Sequence, residues 1–297
     1  MAELLNLVNP EDKLSCKYEI SKFPDGQQSV RIIENNYDTF ENIRGQSYGI
    51  KIKSRLNDFR DLELIICATQ ALREIGVKTI RLYIPYCIGG RSDRKFQEGE
   101  TNYIKNVISP IINSQGYEKV TIMDPHSDVL EACINNFEKV DNMRLVQDSL
   151  IKYWLGDGKI ISDMSNVVFL SPDAGALKKV HKVAENFQSK YDVVVCSKHR
   201  DVNGKLSKTN VPLTEEMMDK DLFIVDDICD GGGTFINIAK ILKETENFKG
   251  RIYLIVTHGI FSRGFDTLEE YFNGIYTTNS ISDVVDENKL ITRFNIF

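Results

Sequence analysis

The chain has 297 residues, 42% apolar and 27% charged, an ordinary globular composition whose length suits two domains of about 100–200 residues. Its formal net charge of −6 supplies no general basic field for nucleic acid or anionic membrane, and no apolar run approaches the roughly 18 residues of a spanning helix or resembles a secretion signal. The cysteines Cys16, Cys67, Cys87, Cys133, Cys196 and Cys229 form no CxxC pair, so buried thiols in a reducing, cytoplasmic location are expected, not disulfides or a zinc site.

From about residue 50 onward, strand and helix patterns alternate. Asp61–Glu74 places Leu62, Ile65, Ile66, Thr69 and Leu72 on one helical face, and Gly76 supplies a stop. Thr79–Tyr86 reads as a buried strand. Tyr103–Ser114 is helical in pattern but contains Pro110, which costs about 3 kcal/mol in a helix interior; a kink or break is expected there. Val120–Met123, Val167–Leu170, Asp192–Cys196, Leu222–Val225 and Ile252–Val256 read as strands, with helices at Ala174–Phe187 and Phe235–Glu244. Between two of these, Asp201–Thr209 is polar enough to serve as a mobile lid. The fold class is therefore α/β, with mainly parallel sheets covered by helices on both faces. The rhythm restarts after the polar stretch Asp141–Ser165, which divides the chain into domains 1–140 and 141–297 of similar pattern. The lone Trp154 is expected to pack at the domain junction.

Polar residues gather at the C-terminal ends of these strands: Arg91–Lys95 after Ile84–Tyr86, His126 after Met123, Asp173 after Leu170 and Asp226 after Val225. That is the edge where open α/β sheets bind ligands. The richest segment is LFIVDDICDGGGT at 222–234: an apolar strand, two adjacent carboxylates, then glycines that open a helix. Backbone N–H groups at such a turn attract an anion, and the helix dipole adds to the pull. Adjacent aspartates would repel a phosphate but suit sugar hydroxyls. The segment describes a site for a phosphorylated ribose, with Asp226 and Asp227 on the ring diol and Asp230, Gly231, Gly232, Gly233 and Thr234 around the 5′-phosphate. No GxxxxGK[ST] loop occurs in the chain.

Several segments together carry a family likeness from about Lys22 to Ile281. KFPDGQQSVRI (22–32), IPYCIGGRSDRK (84–95), TIMDPHSD (121–128), FLSPDAGAL (169–177), SKHR (197–200), IVDDICDGGGT (224–234) and VTHGIFS (256–262) resemble, in family order, motifs of the ribose-phosphate pyrophosphokinases, also called phosphoribosyl pyrophosphate synthetases. The resemblance implies two phosphoribosyltransferase-like domains, an ATP-side one and a sugar-phosphate-binding one. It implies attack of the C1 hydroxyl of ribose 5-phosphate on the β-phosphorus of Mg-ATP, with AMP leaving. It places Phe23, Asp25, Gln27, Arg91, Ser92, Asp93 and His126 at ATP, with Phe23 stacked on adenine and its hairpin supplied by a neighbouring subunit of a homo-oligomer, a dimer or hexamer. It makes His126 and Asp173 ligands of Mg²⁺, and Lys198 and Arg200 the catalytic cations of a mobile loop. On composition alone Lys198 and Arg200 read as a solvated basic loop, and His126 as a capping or core histidine.

Gln27, Ser92 and Gly231 depart from the residues the family commonly has, which are Glu, Gln and Thr. The chain ends at Phe297, short of the family's usual C-terminal helix, so weak phosphate/ADP regulation is expected. A glycine at 231 loses a hydroxyl donor and opens space, which makes an acceptor with a bulkier 5′ group, ADP-ribose, the runner-up. Two further readings are a phosphoribosyltransferase, which needs none of Arg91–Lys95, Asp124–His126 and Ser197–Arg200, and a non-catalytic regulatory subunit, in which such motifs are interrupted.

Overall fold

The computed structural model describes residues 3–34, 39–46, 49–156, 158, 163–200, 206–283 and 290–297; the side chains of 198–200 and 206–208 lie outside that description. The chain divides into two compact units, Met1–Asp141 with Phe297, and Asn142–Ile296.

The first unit holds strands β1 (Leu4–Asn6), β4 (Ile50–Lys53), β5 (Ile80–Tyr83), β6 (Lys119–Met123) and β7 (Phe137–Val140), a wholly parallel sheet in the order β1-β4-β5-β6-β7. Strands β2 (Lys17–Lys22) and β3 (Gln28–Ile33) form a separate antiparallel hairpin. Its root is fixed on helix α2 (Phe59–Glu74): the Gln28 N–H donates to Glu63 Oε1 (3.1 Å) and Gln28 Nε2 to the Arg60 carbonyl (2.7 Å). Helix α2 starts because Asp58 accepts from the N–H groups of Arg60 and Asp61. It ends where Gly76 N–H bonds the Arg73 carbonyl and Val77 N–H bonds the Leu72 carbonyl, a Schellman closure. Leu62, Ile65, Ala68, Thr69 and Leu72 are its buried residues, while Ile66 is half-buried.

The strand predicted over Thr79–Tyr86 stops at Tyr83, two residues before Pro85, which has no N–H to continue a ladder. The break expected at Pro110 is present just ahead of it. Residues Ile104–Ile108 form a π-turn, with Ser109 N–H bonding the Ile104 carbonyl, and Pro110 falls in the first turn of helix α3 (Ser109–Ser114), where a missing N–H costs least. In β4, Ile50 and Ile52 enter the core, whereas Lys51 is exposed on the opposite face. Helices α1 (Phe40–Arg44) and α4 (Val129–Cys133) complete this unit.

The second unit opens with helix α5 (Met143–Gly156) and is built on a parallel six-stranded sheet. Its strands are β8 (Val167–Ser171), β9 (Val194–Val195), β12 (Asp221–Cys229), β13 (Ile252–Gly259), β14 (Gly274–Thr278) and β15 (Ile291–Phe294), in the order β15-β14-β13-β12-β8-β9. Strands β10 (Ser197–Arg200) and β11 (Leu206–Asn210) form an antiparallel pair, and helices α6 (Leu177–Asn186), α7 (Gly233–Glu244) and α8 (Asp266–Tyr271) link the rest. Both faces of this sheet are apolar: Leu222, Ile224, Leu254 and Val256 enter one cluster, and Phe223, Val225, Tyr253 and Ile255 the other. That is the pattern of a parallel sheet buried on both sides. Trp154 packs in this unit's core, its Nε1–H donating to the Asp163 carbonyl at 3.1 Å. The strand predicted over Asp192–Cys196 shrinks to Val194–Val195; of the expected lid, 206–209 are in β11 and 201–205 lie outside the described residues.

At the foot of β12 the buried Asp221 accepts from Tyr153 Oη (2.6 Å), Asn166 Nδ2 (2.9 Å) and Arg251 Nη2 (2.7 Å). Burial alone would raise its pKa, but the bonds from Arg251 and Tyr153 and the guanidinium charge outweigh it and hold the carboxyl below its usual range. A lowered folded pKa gives stability that is present above the unfolded value of about 3.9 and lost as pH falls through the folded value. Asp221→Ala is expected to cost about 3 kcal/mol at pH 7 in urea denaturation, as breaking a buried charge pair does. The gap from wild type should close below pH 3.9 or so.

Candidate functional site

In the first unit, the residues expected at ATP fall in three places. Phe23, Asp25 and Gln27 occupy the tip of the β2–β3 hairpin, a turn closed by Phe23 N–H to the Gln27 carbonyl and Gly26 N–H to the Phe23 carbonyl, both 2.9 Å. Gly26 takes φ 101°, a conformation that excludes most side chains. Gln27 N–H also donates to Asp25 Oδ1 at 3.1 Å, and the Phe23 ring is 51% exposed. Arg91, Ser92 and Asp93 follow β5, and His126 follows β6.

Asp93 joins the second and third of these. Its carboxylate is buried, takes Arg94 Nε at 2.9 Å and Nη2 at 3.2 Å, and is hydrogen-bonded by Ser127. The bond from Arg94 is the main cause that lowers its pKa, against burial, with Ser127 adding to it. The Asp93 backbone carbonyl accepts from Asn102 Nδ2. Asp93 thus holds the loop after β5 to the loop that carries His126, while Arg91 and His126 are themselves exposed. Asp124, buried at φ 43°, turns the chain between β6 and His126 in a conformation uncommon outside glycine.

In the second unit, β12 runs further than the predicted Leu222–Val225. It pairs with β13 through Ile228↔His258 and Cys229↔Gly259, but with β8 only as far as Ile224↔Leu170. Asp226 and Asp227 therefore belong to the strand itself. The chain leaves β8 toward β9 on one side and reaches β12 on the other, so the gap between β8 and β12 is the switch point where open sheets take ligands.

Asp227 is buried and lies 3.5 Å from Lys179 Nζ of α6. Asp226 Oδ1 accepts the Asp227 N–H at 2.9 Å. Desolvation first, and the Asp227 charge second, push the Asp226 carboxyl well above the carboxylate range, with Lys179 pulling the other way. The same surroundings raise the Cys229 thiol to about 12. Lys179 was not among the sequence candidates. The available signal was its place two residues into α6, next to the buried Val180.

The glycine turn follows directly. Gly232 takes φ 74° at the N-cap of α7, and no side chain caps that helix. First-turn N–H groups without a side-chain cap are the donors an anion would use. Asp230 is tied to the loop after β13: its Oδ1 accepts from Ser262 Oγ at 2.6 Å, and its carbonyl from Ser262 N–H at 3.2 Å. The space expected beside Gly231 is taken. A Cβ there would lie 3.1 Å from Cδ and Nε of Arg263, which was likewise unforeseen. Thr234 stands half-buried in the first turn of α7.

Asp173 follows β8, and its Oδ1 accepts from Gly175 N–H (3.0 Å) and Ala176 N–H (3.2 Å) at the start of α6. Among the described residues no three His, Cys, Asp or Glu side chains cluster for a metal. Asp173 is an oxygen donor of the kind Mg²⁺ takes, since that ion keeps several waters and binds through one or two carboxylates plus substrate phosphates. The backbone of Lys198 and Arg200 is in β10, and their side chains lie outside the described residues. Lys198 is in register with Thr209, whose Oγ1 accepts from Asn237 Nδ2 of α7 at 2.7 Å, so the hairpin is pinned to the helix that opens at Gly232. Of the remaining histidines, His258 is buried with Nδ1 2.9 Å from Ser280 Oγ, and His181 is exposed.

The family model of a phosphoribosyl transferase domain matches residues 158–282. A ribose-phosphate pyrophosphokinase of Pyrococcus abyssi is 29% identical over 92% of this chain and 87% of its own. That of Pyrococcus furiosus is 28% identical over 92% and 89%. The crystal structure of phosphoribosylpyrophosphate synthetase from Mycobacterium smegmatis shares the fold, with a TM-score of 0.76 at 18% identity, over 95% of this chain and 86% of that one.

A carboxyl with a raised folded pKa stabilises the protein below its unfolded value and loses that contribution as pH rises through the folded value. Asp226 therefore costs folding free energy at neutral pH. Asp226→Asn should raise Tm at pH 7 in scanning calorimetry, with a smaller gain at about pH 4, where the unfolded carboxyl also protonates.

Proposed function

We propose that this chain, a member of the ribose-phosphate pyrophosphokinase family, transfers the diphosphoryl group of Mg-ATP to the C1 hydroxyl of ribose 5-phosphate. The oxygen at C1 bonds the β-phosphorus, the bond to the α-phosphate oxygen breaks, and AMP departs, leaving 5-phosphoribosyl 1-diphosphate. The observation that carries this reading is one continuous segment: a strand end bearing Asp226 and Asp227, then a helix start at Gly232 with no side-chain cap.

In this reading the first-turn N–H groups from Gly231 to Thr234 hold the 5′-phosphate. Asp226 and Asp227 accept the ring hydroxyls, with Lys179 Nζ set against Asp227 at 3.5 Å. Arg91 and Ser92 line the nucleotide, with Phe23, Asp25 and Gln27 reaching a neighbouring copy's adenine from the exposed hairpin tip of a homo-oligomer. His126 and Asp173 would hold Mg²⁺ with phosphate oxygens. Bound there, the ion neutralises charge on the transferring phosphates. Lys198 and Arg200 of β10 supply the cations that neutralise the transition state.

The same transfer onto ADP-ribose is the second reading, because a glycine stands at 231 in place of a hydroxyl-bearing residue. A phosphoribosyltransferase would have no use for the loop that Asp93 ties to Ser127, next to His126. With purified protein and Mg-ATP, AMP should accumulate on adding ribose 5-phosphate without any nucleobase, and kcat/KM on the two acceptors ranks the readings. AMP formation with neither acceptor overturns both. Lys198→Ala should lower kcat by about 10³, or ~4 kcal/mol; a loss under about tenfold would remove Lys198 from the chemistry.

A further inference from the structure

We infer that Arg263 is an acceptor-binding residue that contacts phosphate oxygens of the sugar's 5′ substituent; this rests on the reading of the glycine turn as the 5′-phosphate site. A Cβ on Gly231 would lie 3.1 Å from Arg263 Cδ and Nε and 3.3 Å from Cγ, so the arginine stem lies along the turn where any larger residue would displace it. The loop that delivers it is braced on the turn. Ser262 bonds Asp230 through both its N–H and its hydroxyl, Gly264 N–H bonds the Phe261 carbonyl at 2.9 Å, and the Phe261 and Phe265 rings sit 4.8 Å apart.

Arg263 is exposed, and among the described residues neither Asp230, Asp266 nor any other group hydrogen-bonds or ion-pairs with it. A guanidinium seated on a phosphate turn and left without a partner is a donor waiting for an anion. The local charge calls for one. A 5′-phosphate entering this turn meets Asp226, Asp227 and Asp230, and the described cation nearest the two strand acids, Lys179, is engaged with Asp227. The dianion's other counter-charge is the Arg263 fork, which can grip two oxygens where a threonine hydroxyl would grip one. Gly231 and Arg263 thus act as a pair: the missing side chain makes room for the cation.

The test uses the full chain with Arg263→Gln, Arg263→Lys and Gly231→Thr. Two readouts apply: AMP release with ribose 5-phosphate, ADP-ribose or unphosphorylated ribose, and the Tm shift given by inorganic phosphate or ribose 5-phosphate. Arg263→Gln should raise acceptor KM about tenfold or more, as loss of a charge-assisted bond does, with KM for ATP and kcat unchanged. It should reduce the Tm shift and have no effect on ribose itself. Arg263→Lys should recover part of the loss, and Gly231→Thr should reproduce it by pushing the arginine aside. A larger loss on ADP-ribose places the guanidinium on the second phosphate, and a larger loss on ribose 5-phosphate places it on the first. AMP release with acceptor KM and Tm shift both indifferent to Arg263→Gln overturns the role of Arg263 and leaves the transfer reading standing. A Tm shift lost in Arg263→Gln, in a protein that forms no AMP, overturns the transfer reading and keeps the site. If phosphate and ribose 5-phosphate shift the wild type not at all, the site falls.

Discussion

Strand β12 is hydrogen-bonded to β13 from Leu222 to Cys229 but to β8 only up to Ile224. The rungs after Ile224 carry two carboxylates on a strand supported along one edge. Their backbone is held by the parallel ladder to β13, with Asp227 buried and Asp226 half-buried. The buried apolar residues Phe223, Ile224 and Val225 just behind them are part of both core clusters and anchor that position. The raised pKa of Asp226, the ion pair of Asp227 with Lys179 and the abrupt turn at Gly232 all follow from that overhang.

The first unit reaches an edge of similar kind by different means. Strand β5 stops before Pro85, and the Pro85 carbonyl takes the Met123 N–H at 3.1 Å, so the loops after β5 and β6 leave the sheet side by side. Asp93 then joins them through Arg94 and Ser127. A buried carboxylate with charge-assisted bonds is a rigid fastener, because removing any partner leaves a desolvated charge behind. The unusual backbone of Asp124 beside it is strain held in place by a well-bonded surround. Rigid loop bases with exposed Arg91 and His126 on top suit a donor site whose chemistry is mostly positioning.

Much of this was legible in the residues. Periodicity locates α2 and the apolar strands, and the acid–glycine segment announces β12 and α7. Boundaries failed where tertiary pairing overrode local pattern. The run after Val225 looks like a turn because it is acidic, yet β13 supplies ladder partners as far as Gly259. Residues 206–210 look like a loop because they are polar, yet they pair with β10. The break that Pro110 announces takes the form of a π-turn ahead of it, which makes it a first-turn residue. Lys179 and Arg263 escaped for another reason: each is an ordinary surface residue type, and its meaning comes from contact with a segment about 50 or about 30 positions away along the chain. No window of sequence contains such a contact.

The charges of the second site also explain why it needs so many partners. Three acids within five residues, Asp226, Asp227 and Asp230, would by Coulomb repulsion alone keep a phosphate out. Each is managed differently. Asp226 is pushed toward protonation by burial, Asp227 is paired with Lys179, and Asp230 spends its Oδ1 on Ser262. In the proposed reading, the attraction at the turn comes from the N–H groups at the start of α7 and from Arg263, whose stem lies beside Gly231. A diol and a dianion could then be held a few bonds apart, because the acids proposed for the first are engaged by burial, by Lys179 and by Ser262.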